Sequence, residues 1–127
     1  DVKSVLKKLA PHYRLIVATK GDLLDQERKM RRSGIAEYFH HIEVMSDKTE
    51  EQYVHLLKHL DIAPADFLMI GNSLKSDIMP PLGLGAWGVY VPYHTTWAHE
   101  EVDGEPESSR FFKVGELHQV LDLIPVP

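Results

Sequence analysis

Short apolar runs, spaced by stretches with helical periodicity, restrict this chain more than any other feature. "RLIVAT" at 14–19, "HIEVM" at 41–45, "DFLMIG" at 66–71 and "AWGVYV" at 86–91 are each strand-length and rich in β-branched or large apolar residues. Runs of that kind read as buried strands. Between and before them apolar residues recur on one helical face: Val2, Val5, Leu6 and Leu9 at the start, then Tyr53, Leu56, Leu57 and Leu60. That i, i+3, i+4, i+7 spacing belongs to an amphipathic helix.

Local signals bound these elements. Pro11 ends the first helix, and Asp22 is placed to cap a second through about Arg32, with Gly34 just past its end. Thr49 and Gln52 form a capping-box pattern ahead of the third helix. A short helix is expected from about Ser76, where Pro80 is tolerable because a first turn lacks acceptors for its N–H groups. "RFFKV" and "GELHQVLDLI" supply a last short strand and a helix. Strands alternating with helices predict an α/β domain over 1–127, a Rossmann-like parallel sheet with helices on both faces. Ligands of such sheets sit beyond the carboxyl ends of the strands.

Composition narrows the function classes. The 127 residues carry 19 acids against 14 bases, a net charge of -5, which argues against nucleic acid and against an anionic membrane surface as partners. No apolar run approaches the ~20 residues a membrane span needs. There is no cysteine, so disulfides and thiolate metal sites are excluded, and a reducing, cytoplasmic location is expected.

"GLGAWG" at 83–88 matches the dinucleotide fingerprint G-x-G-x-x-G in letters only. The fingerprint must follow a strand and open a helix, whereas this segment leaves a helix and enters a strand. It reads as a helix stop and a tight turn.

Three other segments belong together. "LIVATKGD" puts Thr19 at a strand end, followed by the backbone N–H groups of Lys20 and Gly21; "SDKTEEQ" puts Lys48 just before a helix; "MIGNSLKSDI" puts Asn72 and Asp77 beyond another strand. Singly, each has a structural explanation: a β-former, a solvated lysine, a helix cap. As an ordered set over about residues 14–92, hydroxyl, ammonium and carboxylate resemble the second, third and fourth motifs of the haloacid dehalogenase-like (HAD) superfamily of phosphohydrolases.

The resemblance implies a chemistry and a set of roles. An aspartate attacks phosphorus to form an aspartyl-phosphate, which water hydrolyses. Thr19, with the Lys20 and Gly21 N–H groups, would bind the phosphate; Lys48 would offset charge between nucleophile and phosphate; Asn72 and Asp77 would hold Mg²⁺. The substrate would be a small phosphorylated metabolite. The fourth motif commonly reads Gly-Asp-Ser, and here it reads Gly-Asn-Ser, so either metal affinity is lower or Asp77 takes more of the role.

The family's first motif, Asp-x-Asp, supplies the nucleophile, and no Asp-x-Asp occurs in this chain. The family's sheet order places the strand bearing it between those ending at Thr19 and Gly71. The sheet is therefore expected to lack its first central strand, and the chain alone to be inactive toward phosphate esters. The two flanking strands could close up and pair, a second chain could lend a strand, or an N-terminal segment could complete the sheet; the last is preferred. A non-catalytic Rossmann-like module that binds a partner or an anion is the alternative function, and a flavodoxin-like domain fits the first strand's loop poorly.

Eight histidines add little. His55 and His59, i and i+4 on one helix, have metal-compatible spacing but no third ligand at fixed spacing. His40 and His41 cannot easily turn both rings to one ion. His94, Trp97 and His99, after the fourth strand, could wall a pocket or fold onto the core.

Overall fold

The computed structural model describes residues 2–92 and 105–124. Helix α1 (Val2–Leu9) is followed by β1 (Ile16–Thr19), α2 (Leu23–Ser33), β2 (His41–Val44), α3 (Glu50–His59), β3 (Leu68–Gly71), a π-helical turn (Leu74–Ile78), α4 (Met79–Gly83), β4 (Trp87–Tyr90) and β5 (Phe111–Lys113). A 3₁₀ helix (Leu117–Asp122) stands where the last helix was expected. His94, Trp97 and His99 lie outside the described residues.

Every described strand pairing is parallel, as predicted for the α/β alternation. The strands form two sheets, β1–β2 and β3–β4–β5. Among the described residues β1 has β2 as its one strand neighbour and β3 has β4. All four residues of β1 and of β3 are only partly buried, although their apolar runs are those of interior strands.

The chain forms two compact units, residues 1–47 with 117–127, and 48–116. In the first, Val5 and Leu9 of α1, Met30 of α2, Met45 and Val120 are buried, and α1 lies against the 3₁₀ helix. The Asp22 carboxylate caps α2 by accepting from the Asp25 N–H at 3.3 Å. Gly34 ends that helix with φ 72°, its N–H reaching the Arg31 carbonyl and the Ile35 N–H reaching that of Met30, both at 3.1 Å. A Cβ at Gly34 would meet only the end of Lys3 at 3.7 Å, so the constraint is conformational rather than steric. Gly34→Ala should cost about 1–2 kcal/mol, read by urea denaturation, and Gly34→Asn less, because asparagine tolerates the left-handed region.

In the second unit Tyr53, Leu56 and Leu57 of α3 are buried together with Phe67, Ile78, Leu82, Ala86, Val89 and Tyr90. The Tyr53 and Phe67 rings sit 6.4 Å apart, tilted at 55°. The "GLGAWG" segment leaves α4 and enters β4 through Gly85 at φ 93°, the turn its context predicted. Arg110 donates from Nε to the Ala86 carbonyl and from Nη2 to the Leu82 carbonyl, each at 3.1 Å, tying the approach to β5 onto the end of α4.

Candidate functional site

The "GNSLKSDI" segment folds back on itself at the carboxyl end of β3. Ser73 caps the turn, its hydroxyl accepting from the Ser76 N–H at 3.3 Å. The helical stretch opens at Leu74, two residues before the expected start, and it opens as a π turn closed by the Met79 N–H on the Leu74 carbonyl. This brings Asp77 back over the strand end. Its Oδ2 accepts from the backbone N–H groups of Asn72 at 3.1 Å and Ser73 at 3.2 Å. Its Oδ1 accepts from the Lys48 ammonium at 2.8 Å.

Asp77 is the one charged residue buried among those described, and the Lys48 side chain is 16% exposed. A carboxylate so removed from water is retained because three donors satisfy it. Gly71 permits the arrangement: a Cβ there would overlap the Cβ and carboxyl of Asp77. Lys48 is held by its place one residue before Thr49, whose hydroxyl caps α3 by accepting from the Gln52 N–H at 3.3 Å.

Of the residues singled out from sequence, Lys48, Asn72 and Asp77 are brought together in this unit. Thr19, Lys20 and Gly21 belong to the other unit, at the carboxyl end of β1. The Thr19 carbonyl accepts from the Met45 N–H at 2.7 Å, fixing the strand end. Lys20 pairs with Asp47 at 3.7 Å through two well-exposed side chains, a weak surface contact. His40 and His41 have separate partners: His40 Nδ1 accepts from the Leu15 N–H at 2.9 Å, and His41 Nε2 meets Glu43 Oε1 at 2.7 Å. His55 and His59 are exposed.

Tyr53 was legible only as one residue of an apolar stripe. It is fully buried, and its hydroxyl donates to the carbonyl of Ser76, the residue before Asp77, at 2.9 Å. Burial, and then the Asp77 charge, push its phenol well above the ordinary value, so it stays a donor.

A hard cation takes oxygen ligands and keeps several waters. The Asn72 carboxamide and the Asp77 carboxylate are oxygens of that kind. Three of the roughly four lone-pair sites of Asp77 are already taken by donors, so about one is left for a metal. The donor set fits magnesium in kind, with Asn72 offering a neutral oxygen and Asp77 a single remaining lone pair.

No family model matches the chain. Among curated proteins it is similar to N-acylneuraminate-9-phosphatase of Rattus norvegicus, 32% identical over 90 residues, and of Homo sapiens, 30% identical over 90 residues. Each match covers 67% of this chain and 36% of the relative, so the chain spans about a third of the length of these proteins. Among solved structures, a haloacid dehalogenase-like family hydrolase from Xanthomonas campestris superposes with a TM-score of 0.78 and 35% identity, over 93% of this chain and 49% of that one. A HAD-hydrolase from Bacillus subtilis, crystallised with bound magnesium, shares the fold at a TM-score of 0.75 and 17% identity, over 94% of this chain and 52% of that one. No described helix is long and apolar enough to cross a membrane. The fold and 35% identity shared with a haloacid dehalogenase-like family hydrolase over 93% of this chain place it in the haloacid dehalogenase-like superfamily.

Proposed function

We propose that this chain carries phosphate- and metal-binding motifs of a Mg²⁺-dependent phosphohydrolase that hydrolyses the phosphate monoester of a small metabolite. The Lys48–Asp77 contact at 2.8 Å, at the carboxyl end of β3, is the observation that most supports this. The phosphatase names of the curated relatives support the same reaction class.

In the proposed reaction a carboxylate oxygen of an aspartate outside this chain forms a bond to phosphorus, and the ester P–O bond breaks. The leaving alkoxide takes a proton from a general acid. Water then attacks the aspartyl-phosphate, releasing inorganic phosphate and restoring the carboxylate. Lys48 places fixed positive charge beside the transferring group, Asp77 holds that ammonium in position, and the Thr19 hydroxyl with the Lys20 and Gly21 N–H groups binds phosphate oxygens. Magnesium, when bound through Asn72 and Asp77, supplies charge neutralisation at the phosphate.

The test is an assay with Mg²⁺ and a generic aryl phosphate, run on two proteins. The 127-residue chain is expected to give no turnover. A protein that also includes an Asp-x-Asp-bearing segment encoded upstream of Asp1 is expected to turn over, with Lys48→Ala lowering the rate about 10²–10³-fold. Turnover by the 127-residue chain that vanishes in Asp77→Ala contradicts the inactive-chain expectation. The absence of an Asp-x-Asp from these residues favours, as second reading, a non-catalytic binding module. A start codon adjoining Asp1, with no upstream apolar run ending in Asp-x-Asp, is the outcome that selects it.

A further inference from the structure

The carbonyl of Ser76 has a backbone problem written into the sequence. In an α-helix it would accept from the N–H of residue 80, and in a π turn from that of residue 81. Both are proline and have no N–H. The N–H of Met79, one residue nearer, goes instead to the Leu74 carbonyl. The Tyr53 hydroxyl, reaching across from α3 at 2.9 Å, supplies the donor that the Pro80-Pro81 pair withholds.

The next residue is Asp77, whose carboxylate spans the Lys48 ammonium and two N–H groups. We propose that Tyr53 is a positioning residue: its hydroxyl, by holding the Ser76 carbonyl, fixes the π turn and through it the Asp77 carboxylate against Lys48, Asn72 and Ser73. The ring alone would fill the core equally well as phenylalanine, which has nearly the same shape. The hydroxyl is therefore separable from the packing. Its raised phenol, neutral throughout the ordinary pH range, keeps the donor in place. This role does not depend on the proposed reaction; only its consequence for turnover does.

The test uses the 127-residue chain and amide hydrogen exchange followed by NMR. Tyr53→Phe is expected to speed exchange of the Asn72 and Ser73 amides roughly tenfold, the factor corresponding to one ordinary hydrogen bond. The Trp87 and Gly88 amides, bonded to the Phe67 and Arg110 carbonyls in the sheet, serve as the internal reference and should move much less. A second variant makes the assignment specific. Pro80→Ala restores an N–H four residues beyond Ser76, so Tyr53→Phe with Pro80→Ala should recover most of the protection at Asn72 and Ser73. Exchange in Tyr53→Phe that rises equally at Trp87 and Gly88, or that does not change at Asn72 and Ser73, overturns the role, as does a double variant that recovers nothing. If Tyr53→Phe does not fold, the double variant is read by circular dichroism: a regained folded spectrum supports the role, and an unfolded one overturns it. Turnover of the longer protein, measured separately, distinguishes failure of this role from failure of the proposed reaction.

Discussion

Asp77→Ala should destabilise the chain by about 3 kcal/mol or more, the lower part of the range for breaking a buried ion pair from one side. The loss removes the acceptor that three donors share: the Lys48 ammonium and the N–H groups of Asn72 and Ser73. The ammonium keeps some access to water, which sets the value toward the low end of that range. For a domain with a total stability of roughly 5–15 kcal/mol, this is a large share. Lys48→Ala should cost less, because Asp77 would keep both of its backbone donors. A double-mutant cycle of the two, followed by thermal and urea denaturation, should return a coupling of at least ~1 kcal/mol. An Asp77→Ala variant within ~0.5 kcal/mol of the parent would mean that the carboxylate is solvated rather than structural, and the site as described would be wrong.

Gly71→Ala should be about as damaging, for a steric reason. The added Cβ would collide with the Asp77 Cβ as well as its carboxyl. A flexible side-chain end could swing aside; a Cβ moves only with its backbone, and that backbone is the π turn. A cost of about 3 kcal/mol, the upper part of the overpacking range, is expected. The diagnostic is its partner variant. With Asp77→Gly the colliding atoms are gone, so Gly71→Ala should add little in that background. Strict additivity of the two changes would show that Gly71 is small for some other reason.

Much of the architecture was legible because it is encoded locally. The apolar runs around Ile16–Thr19, Leu68–Gly71 and Trp87–Tyr90 became parallel strands, and the cap residues Asp22, Gly34 and Thr49 act where their chemistry placed them. Among the described residues the strands ending at Thr19 and Gly71 each have a single strand neighbour. The start of the helical segment after β3 was misplaced by two residues. A start near Ser76 made Pro80 tolerable in a first turn, whereas the chain begins earlier and widens into a π turn so that Met79, the last residue with an N–H before the prolines, can close it.

Residue order alone determined that this chain alternates strands with helices, that Lys48 would stand just before a helix and Asn72 and Asp77 beyond a strand, and that cysteine chemistry is excluded. Those follow from periodicity, capping and composition, which act within a few residues. Only the tertiary structure decided that Asp77 turns inward to Lys48 and the Asn72 and Ser73 amides, that Gly71 is small to make room for it, and that Tyr53 substitutes for the donor two prolines remove. Those contacts join residues from 4 to 29 positions apart. They exist because a buried polar atom must find a partner, and which partner is near enough is a property of the folded chain.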